Sequence, residues 1–250
     1  MPERYKGFGY WDIATRQMSI VTKSQQTRFK DAKIGVVGCG GIGGGTILML
    51  ARMGLGDLTI IDKDEYDLSN LNRQAISSLE TIGLSKSAST KERVRITNPY
   101  TKVTAFDEAL TEDNIEKVFG DRDIIIDALD NLYTRVIVSR FARENDIPFI
   151  HGAIHGTQGQ VSVFTNDTPS YEELFSLPSK DKELGEETKA EIGKLTKGVP
   201  PVIGPVPNIV GCLEAFEAYK LTTRIGEVTY APKILNFDLL NLESFKVLEL

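Results

Sequence analysis

The sequence is poor in the residues that carry most thiol and metal chemistry: two cysteines, Cys39 and Cys212, and two histidines, His151 and His155, are all it holds in 250 residues. The cysteines lie far apart, with no CxxC and no Cys/His ligand spacing, which excludes a disulfide framework and a cysteine-built zinc site. Long apolar runs are missing too. Nothing approaches the roughly eighteen uninterrupted apolar residues of a membrane-spanning helix, and the N-terminal MPERYKGFGYWDIATRQ has no apolar run behind its charges, so a cytoplasmic protein is expected. Positive charge is in deficit, with 29 Lys and Arg against 35 Asp and Glu and a net charge of -6. A surface built mainly for nucleic acid or anionic lipid is thereby disfavoured, and any cation that matters must be local.

What is present is a chain 41% hydrophobic and long enough for one large α/β domain. Apolar strand patterns alternate with helical ones, the signature of parallel βαβ units. KIGVVG (33–38) and DLTIID (57–62) flank a helical stretch closed by glycines. Helices are predicted for 85–97, 111–119 and 131–145, and strands for KVTAF, DIIIDA and PFIHG. Residues 1–150 therefore read as a nucleotide-binding half. QVSVF (160–164) has no helix before it and opens a different arrangement, so 151–250 reads as a mixed-sheet half of the same domain. Within it, 165–207 is rich in Lys, Glu, Gly and Pro and is expected to be a mobile crossover loop with at most a short helix near 186–195. A helix over NIVGCLEAFEAYKLTT and two strands, KILNFDLL and SFKVLEL, close the pattern.

The glycine loop GCGGIG stands between a predicted strand and a predicted helix, which is the context a dinucleotide-type fingerprint requires. Gly38 permits the tight turn, Gly40 and Gly41 let backbone approach a phosphate, and Gly43 allows close helix–strand packing. Asp62, ending the second strand, can accept ribose hydroxyls. That much fits any adenosine cofactor, NAD included. The next residues are more selective: DKDEYDLSNLNRQ continues with Asn70, Arg73 and Gln74, and Lys86 follows at the next helix start. These are donors for a longer polyphosphate, whose charge is offset by Arg and Lys plus a metal held by few carboxylates. Asp130, past the strand DIIIDA and followed by Asn131, is the candidate Mg²⁺ ligand because ligands bind at such strand ends.

GCGGIG, DKDEYDLSNLNRQ, GLSK, ALDN and the early TRQMS, with GQVSVF and VGCLEAFEAYK later, resemble the E1-like adenylyltransferases that activate ubiquitin-like and sulfur-carrier proteins. The resemblance implies a Rossmann-like α/β fold with a mixed sheet of about eight strands and flanking helices, and a homodimer that uses Mg-ATP to form acyl-AMP and release pyrophosphate. By the same resemblance Asp62 holds the ribose and Asp64 supports the polar network. Asn70, Arg73, Gln74 and Lys86 grip the triphosphate, Asp130 holds Mg²⁺, and Arg16 is supplied by the neighbouring subunit. Two departures bear on substrate. The first zinc-binding CxxC of many members is replaced by SYEELF and the C-terminal VLEL has none, so no zinc is expected. The crossover sequence LTKGVPPVIGP has Lys197 and no cysteine, so a thioester step is in doubt.

These departures favour a small-molecule carboxylate passed to a partner thiol. One branch of the family activates guanylylpyridinol in Fe-hydrogenase cofactor assembly, and the chain is compatible with it. The alternatives are the C-terminal glycine of a ubiquitin-like carrier, an NAD-dependent oxidoreductase, or a silent E1-like scaffold serving a partner subunit. His151 and His155, in FIHGAIHG, are candidates for substrate contact, against ordinary hydrogen-bonded histidines. Cys39 and Cys212 are read as packing residues, and Lys180, Lys182, Lys194 and Lys197 as a solvated stretch.

Overall fold

A computed structural model describes residues 7–195 and 201–250. The parallel strands arise where β-branched residues run without polar interruption. They are β1 (Lys33–Val37), β2 (Asp57–Ile61), β3 (Lys102–Phe106), β4 (Ile124–Asp127) and β5 (Phe149–His155). Strands β6 (Gln158–Phe164), β7 (Lys233–Asp238) and β8 (Asn241–Glu249) add on antiparallel, giving one eight-stranded mixed sheet in the order β3-β2-β1-β4-β5-β6-β7-β8. Because β1 is flanked by β2 on one side and β4 on the other, the chain reverses direction across the sheet there. A crevice opens at the C-terminal ends of β1 and β4, the place where open α/β sheets bind ligands.

Alternate residues feed two cores. Ile34, Val36, Leu58, Ile60, Ile124, Ile126 and Ile150 face the side covered by α2 (Lys23–Asp31), α3 (Gly41–Met53) and α9 (Pro205–Thr223). Val37, Ile61, Ile125 and Phe149 face α5 (Ile115–Phe119) and α6 (Leu132–Glu144). Helix α4 (Lys86–Thr97) starts at the Ser85 cap and α1 (Tyr10–Ala14) lies near the N-terminus. The helix expected at 111–119 is confined to α5. The last helix begins at Pro205, three residues earlier than expected, since proline is well accommodated at a helix's first position. No helix of the described residues is long and apolar enough to cross a membrane.

The 165–207 segment holds more structure than its composition indicates. A short helix, α7 (Tyr171–Leu174), is closed by a reciprocal capping box between Ser170 and Glu173, and α8 (Glu186–Gly193) follows. Arg140 of α6 ties this segment down: its Nε and Nη2 donate to the two Glu172 oxygens at 2.8 Å, and Nη2 and Nη1 reach the carbonyls of Ser179 and Lys182. Lys180 and Lys182 make exposed ion pairs with Glu173 and Glu191. Lys197 lies outside the described residues. Cys39 is buried as expected, whereas Cys212 is on the outer face of α9 and exposed, so its reading as a core residue is corrected.

Helix α9 brings a fully buried acid, Glu214, against α3, where Oε2 sits 2.7 Å from Thr46 Oγ1 and Oε1 has no hydrogen-bond partner among the described residues. Burial pushes this carboxyl well above its usual value of 4.5. The folded state thus keeps a proton that the unfolded chain gives up above about pH 4.5, and stability falls as pH rises beyond that point. Glu214→Gln removes the penalty. Thermal unfolding of the two proteins between pH 5 and 8 is expected to show a gap in favour of the variant that widens with pH, reaching roughly 2–4 °C for each 1 kcal/mol at this size. A constant gap would contradict the burial account.

Candidate active site

The crevice is shaped first by backbone. Gly38 ends β1 with φ +96, and a Cβ there would stand 2.6 Å from the Ala128 carbonyl oxygen. A Cβ on Gly43 would fall 1.9 Å from the Gly38 carbonyl oxygen, so α3 can lie against the turn only because that position is glycine. The α3 N-terminus then points its free N–H groups into the cavity, lined here by Gly38, Gly40 and Gly41. Asp62 holds the loop from the β2 side. Its Oδ2 accepts from Cys39 N at 2.7 Å and its Oδ1 from Asp64 N at 2.8 Å, while burial raises its carboxyl. Each oxygen keeps a further lone pair for a ribose hydroxyl.

The cavity, about 380 Å³, gathers Asp62, Asp64, Arg73, Gln74, Lys86, Asp130 and Asn131 from four separate segments. Lys86 is buried at the start of α4, with Nζ 3.3 Å from Asp64 Oδ2 and its backbone N–H on the Asp64 carbonyl. Arg73 Nη1 is held by the Ser69 carbonyl at 2.8 Å and Asn72 Oδ1 at 3.0 Å, which aims the fork across the glycine helix toward the cavity. Gln74 is buried beside Gly40, with an amide oxygen that has no protein partner. Among the described residues this buried acceptor has no donor, the condition expected of an atom that a ligand's hydroxyl or N–H completes. Asp130 is exposed on the opposite wall, and Asn131 caps α6 through Thr134 N at 2.8 Å.

Several expected residues lie elsewhere. Asn70 is buried in the cap of the 3-10 turn Leu68–Asn70, where its Oδ1 accepts from Asp67 N at 3.0 Å; it supports Arg73's loop and is absent from the cavity wall. Gly43 acts in packing alone. His151 is 1% exposed, and its Nδ1 lies 2.8 Å from Asp127 Oδ2 within a cluster of Phe149, Tyr171 and Phe175. Burial lowers its pKa, so it is a neutral core histidine; substrate contact is corrected to a structural role. His155 is exposed at the end of β5, outside the cavity wall. Arg16 is exposed on the turn Thr15–Gln17, away from the cavity of its own chain.

Two residues were overlooked in the sequence. Asp127 closes the apolar strand IIID fully buried, and Arg135, in the first turns of α6, pairs with it and reaches the cavity wall. The signal was an acid ending a strand with no exposed face, because such a charge demands a buried cation nearby. Burial alone would raise the Asp127 carboxyl, but Arg135 and His151 outweigh it and hold it below the ordinary range.

Mg²⁺ keeps most of its waters and is bound by one or two carboxylates together with substrate phosphates. No group of three or more His, Cys, Asp or Glu suited to a metal occurs among the described residues. An exposed Asp130 facing a phosphate-type donor set fits an ion carried in by the nucleotide rather than a built cage.

A Rossmann-like crevice with an acid at the end of β2, a glycine-helix N-terminus and convergent Arg and Lys donors defines a nucleotide-dependent enzyme of the phosphate-binding kind. Residues 14–250 match the ThiF family model, and the chain belongs to that family of E1-like adenylyltransferases. It is 32% identical over 225 residues to the "SAMP-activating enzyme E1" of Haloferax volcanii, covering 90% of this chain and 79% of that one. It is 33% identical over 233 residues to the "Sulfur carrier protein adenylyltransferase" of Thermus thermophilus, covering 90% and 82%. The chain spans about half the length of several other relatives. A crystal structure of E. coli MccB with ATP superposes with TM-score 0.80 at 20% identity, over 100% of this chain and 74% of that one; this likeness concerns the fold.

If Arg73 and Lys86 face phosphate, Arg73→Ala and Lys86→Ala should each lower adenylation about 100-fold or more. His155→Ala should leave turnover within about twofold, because surface changes away from a site have small effects. Pyrophosphate release with thermal unfolding measured alongside checks this; full activity in a folded Arg73→Ala or Lys86→Ala protein would remove that residue from the site.

Proposed function

We propose that the protein uses Mg-ATP to adenylate the C-terminal carboxylate of a small carrier protein. The carboxylate oxygen bonds to the α-phosphorus as the α–β bridging bond breaks, and pyrophosphate leaves. The observation that carries the reading is the cavity's second end. Beyond the phosphate donors its wall is Ala153, Ile154 and Val202, and the 201–203 segment pairs with Gly156 through Gly156 N to Pro201 O at 2.8 Å. Small apolar walls beside paired backbone make a narrow slot, which suits an extended glycine-ended tail better than a ring system bearing its own nucleotide. The relatives of comparable length named for carrier-protein activation support the same choice.

In this reading Asp62 holds the ribose, and Lys86, Arg73 and Gln74 take the charge that builds on the phosphates. Asp130 would hold Mg²⁺, which supplies further neutralisation of the triphosphate. Catalysis is positional and electrostatic, with no covalent enzyme intermediate. A second reading, a small-molecule carboxylate such as guanylylpyridinol, draws support from the absence of any cysteine between residues 165 and 207, where a thioester would otherwise form. Pyrophosphate release with Mg-ATP should rise on adding a glycine-ended carrier and disappear when its terminal glycine is removed. Release with the pyridinol acid alone would reverse the choice.

Arg16 is proposed to act on the site of a second copy in a homodimer. Its turn is well anchored while its side chain is exposed: the neighbouring Gln17 donates to Gln26 Oε1 at 2.7 Å and to the Met53 carbonyl at 2.8 Å. In a two-fold dimer, mixing Arg16→Ala with Lys86→Ala subunits builds one intact site per mixed dimer. After subunit exchange about a quarter of wild-type activity should return from two nearly inactive parents. Failure to recover any activity, with mixed dimers demonstrated, would place Arg16 outside the partner's site.

A further inference from the structure

Beneath the cavity, at the end of β4, lies a buried polar assembly with no place in the nucleotide contacts described above. Asp127 Oδ1 accepts from Leu129 N at 2.9 Å, and its Oδ2 takes both His151 Nδ1 and Arg135 Nε. The same guanidinium donates through Nη2 to the Leu129 carbonyl and lies beside the Tyr171 hydroxyl, whose oxygen can accept from it. Both backbone groups of Leu129 are therefore taken by one ion pair, and the next residue is Asp130.

A buried ion pair is a poor device for stability, since well-packed apolar residues often do as well. It is a good device for orientation, because a planar fork and a carboxylate together fix the peptides they grip. The geometry here grips the single residue preceding the exposed carboxylate on the cavity wall. His151, whose ring is 4.9 Å from that of Tyr171, backs Asp127 from β5, and Tyr171 backs Arg135 from α7.

We infer that Asp127, Arg135, His151 and Tyr171 are positioning residues that hold the loop 128–131 so that Asp130 is presented to the metal–triphosphate, with α7 of the crossover built into the support. The inference rests on the reading of Asp130 as metal ligand. Arg135 Nε and Nη2 are committed to Asp127 and to the Leu129 carbonyl, so its fork is oriented by the pair and the peptide it grips.

Binding of Mn²⁺ with ATP, followed by electron paramagnetic resonance, tests this without turnover. ATP binding in the absence of metal and thermal unfolding are measured in parallel. Arg135→Lys keeps the charge against Asp127 but cannot also hold the Leu129 carbonyl in fork geometry. It should weaken Mn²⁺–ATP binding about 10-fold, as loss of a ligand's supporting contact typically does, and leave metal-free ATP binding within about twofold. Asp130→Asn should weaken the same binding at least as much. His151→Leu should follow Arg135→Lys in direction, while His151→Asn, which keeps a donor near the Nδ1 position, should restore near wild-type binding.

Should Arg135→Lys fail to fold, Tyr171→Phe, which removes only the hydroxyl on the guanidinium, carries the same comparison. Wild-type Mn²⁺–ATP binding in a folded Arg135→Lys or Tyr171→Phe protein, with Asp130→Asn impaired, overturns the positioning inference and leaves the metal assignment standing. Wild-type binding in Asp130→Asn overturns both.

Discussion

The whole site depends on one close approach: the first turn of α3 lies directly on the Gly38 carbonyl, with Gly43 admitting no side chain between them. That contact sets where the helix N-terminus points. It also brings the glycine loop against Ala128 at the end of β4, so the two walls of the crevice share backbone contacts rather than side-chain packing. Helix α9 reinforces it from behind. A Cβ on Gly211 would stand 2.6 Å from the Ile42 carbonyl oxygen and 2.7 Å from Thr46 N, so α9 also meets α3 backbone to backbone, at the same turn. Rigid placement of a phosphate-facing helix end is what electrostatic catalysis requires, because dipoles that need not reorganise are worth most.

From that contact the two halves divide the work. The loop after β2 and the start of α4 carry Asp62, Arg73 and Lys86, while β5 and the 201–203 segment carry the apolar wall of Ala153, Ile154 and Val202. The crossover reaches the nucleotide half through α6, which presents Arg135 inward to the site and Arg140 outward to Glu172, Ser179 and Lys182. One helix thus anchors both the Leu129 peptide and the residues from Glu172 to Lys182. SYEELF forms α7 and buries Tyr171 beside His151. Aromatic packing and an arginine clamp perform the tethering there.

The parallel half of the fold was legible because its strands are apolar on both faces, so KIGVV, DLTII and IIID read as strands without help from context. Asp62, Arg73, Gln74, Lys86 and Asp130 were legible as a set for a different reason: no core role needs that order of residue types, and the structure brings all five to one cavity. Asn70 misled because the same amide that can bind phosphate is also a good turn cap, and spacing cannot separate the two. His151 misled because its partner, Asp127, is 24 residues away, and only the β4–β5 pairing brings them opposite one another. Helix α7 escaped notice because four residues offer no periodicity, only a Ser170–Glu173 cap signature.

The acids on the cavity wall differ in what already holds them, and on the proposed reading that difference favours one side for a metal ion. Asp62 is occupied by two backbone N–H groups, and Asp64 by Lys86. Glu108 stands past the end of β3, with two strands between it and β4. Asp130 is on the α6 side, where Asp127 has already taken the nearby arginine for itself. A triphosphate lying along α3 would meet Lys86 and Arg73 on one flank and an uncompensated carboxylate on the other. Two anions facing each other repel unless a cation intervenes, and the smallest solution is a divalent ion bridging carboxylate and phosphate. On the proposed reading, Arg135 is engaged by Asp127, Asp130 makes no ion pair among the described residues, and that flank would favour a nucleotide that brings its metal along.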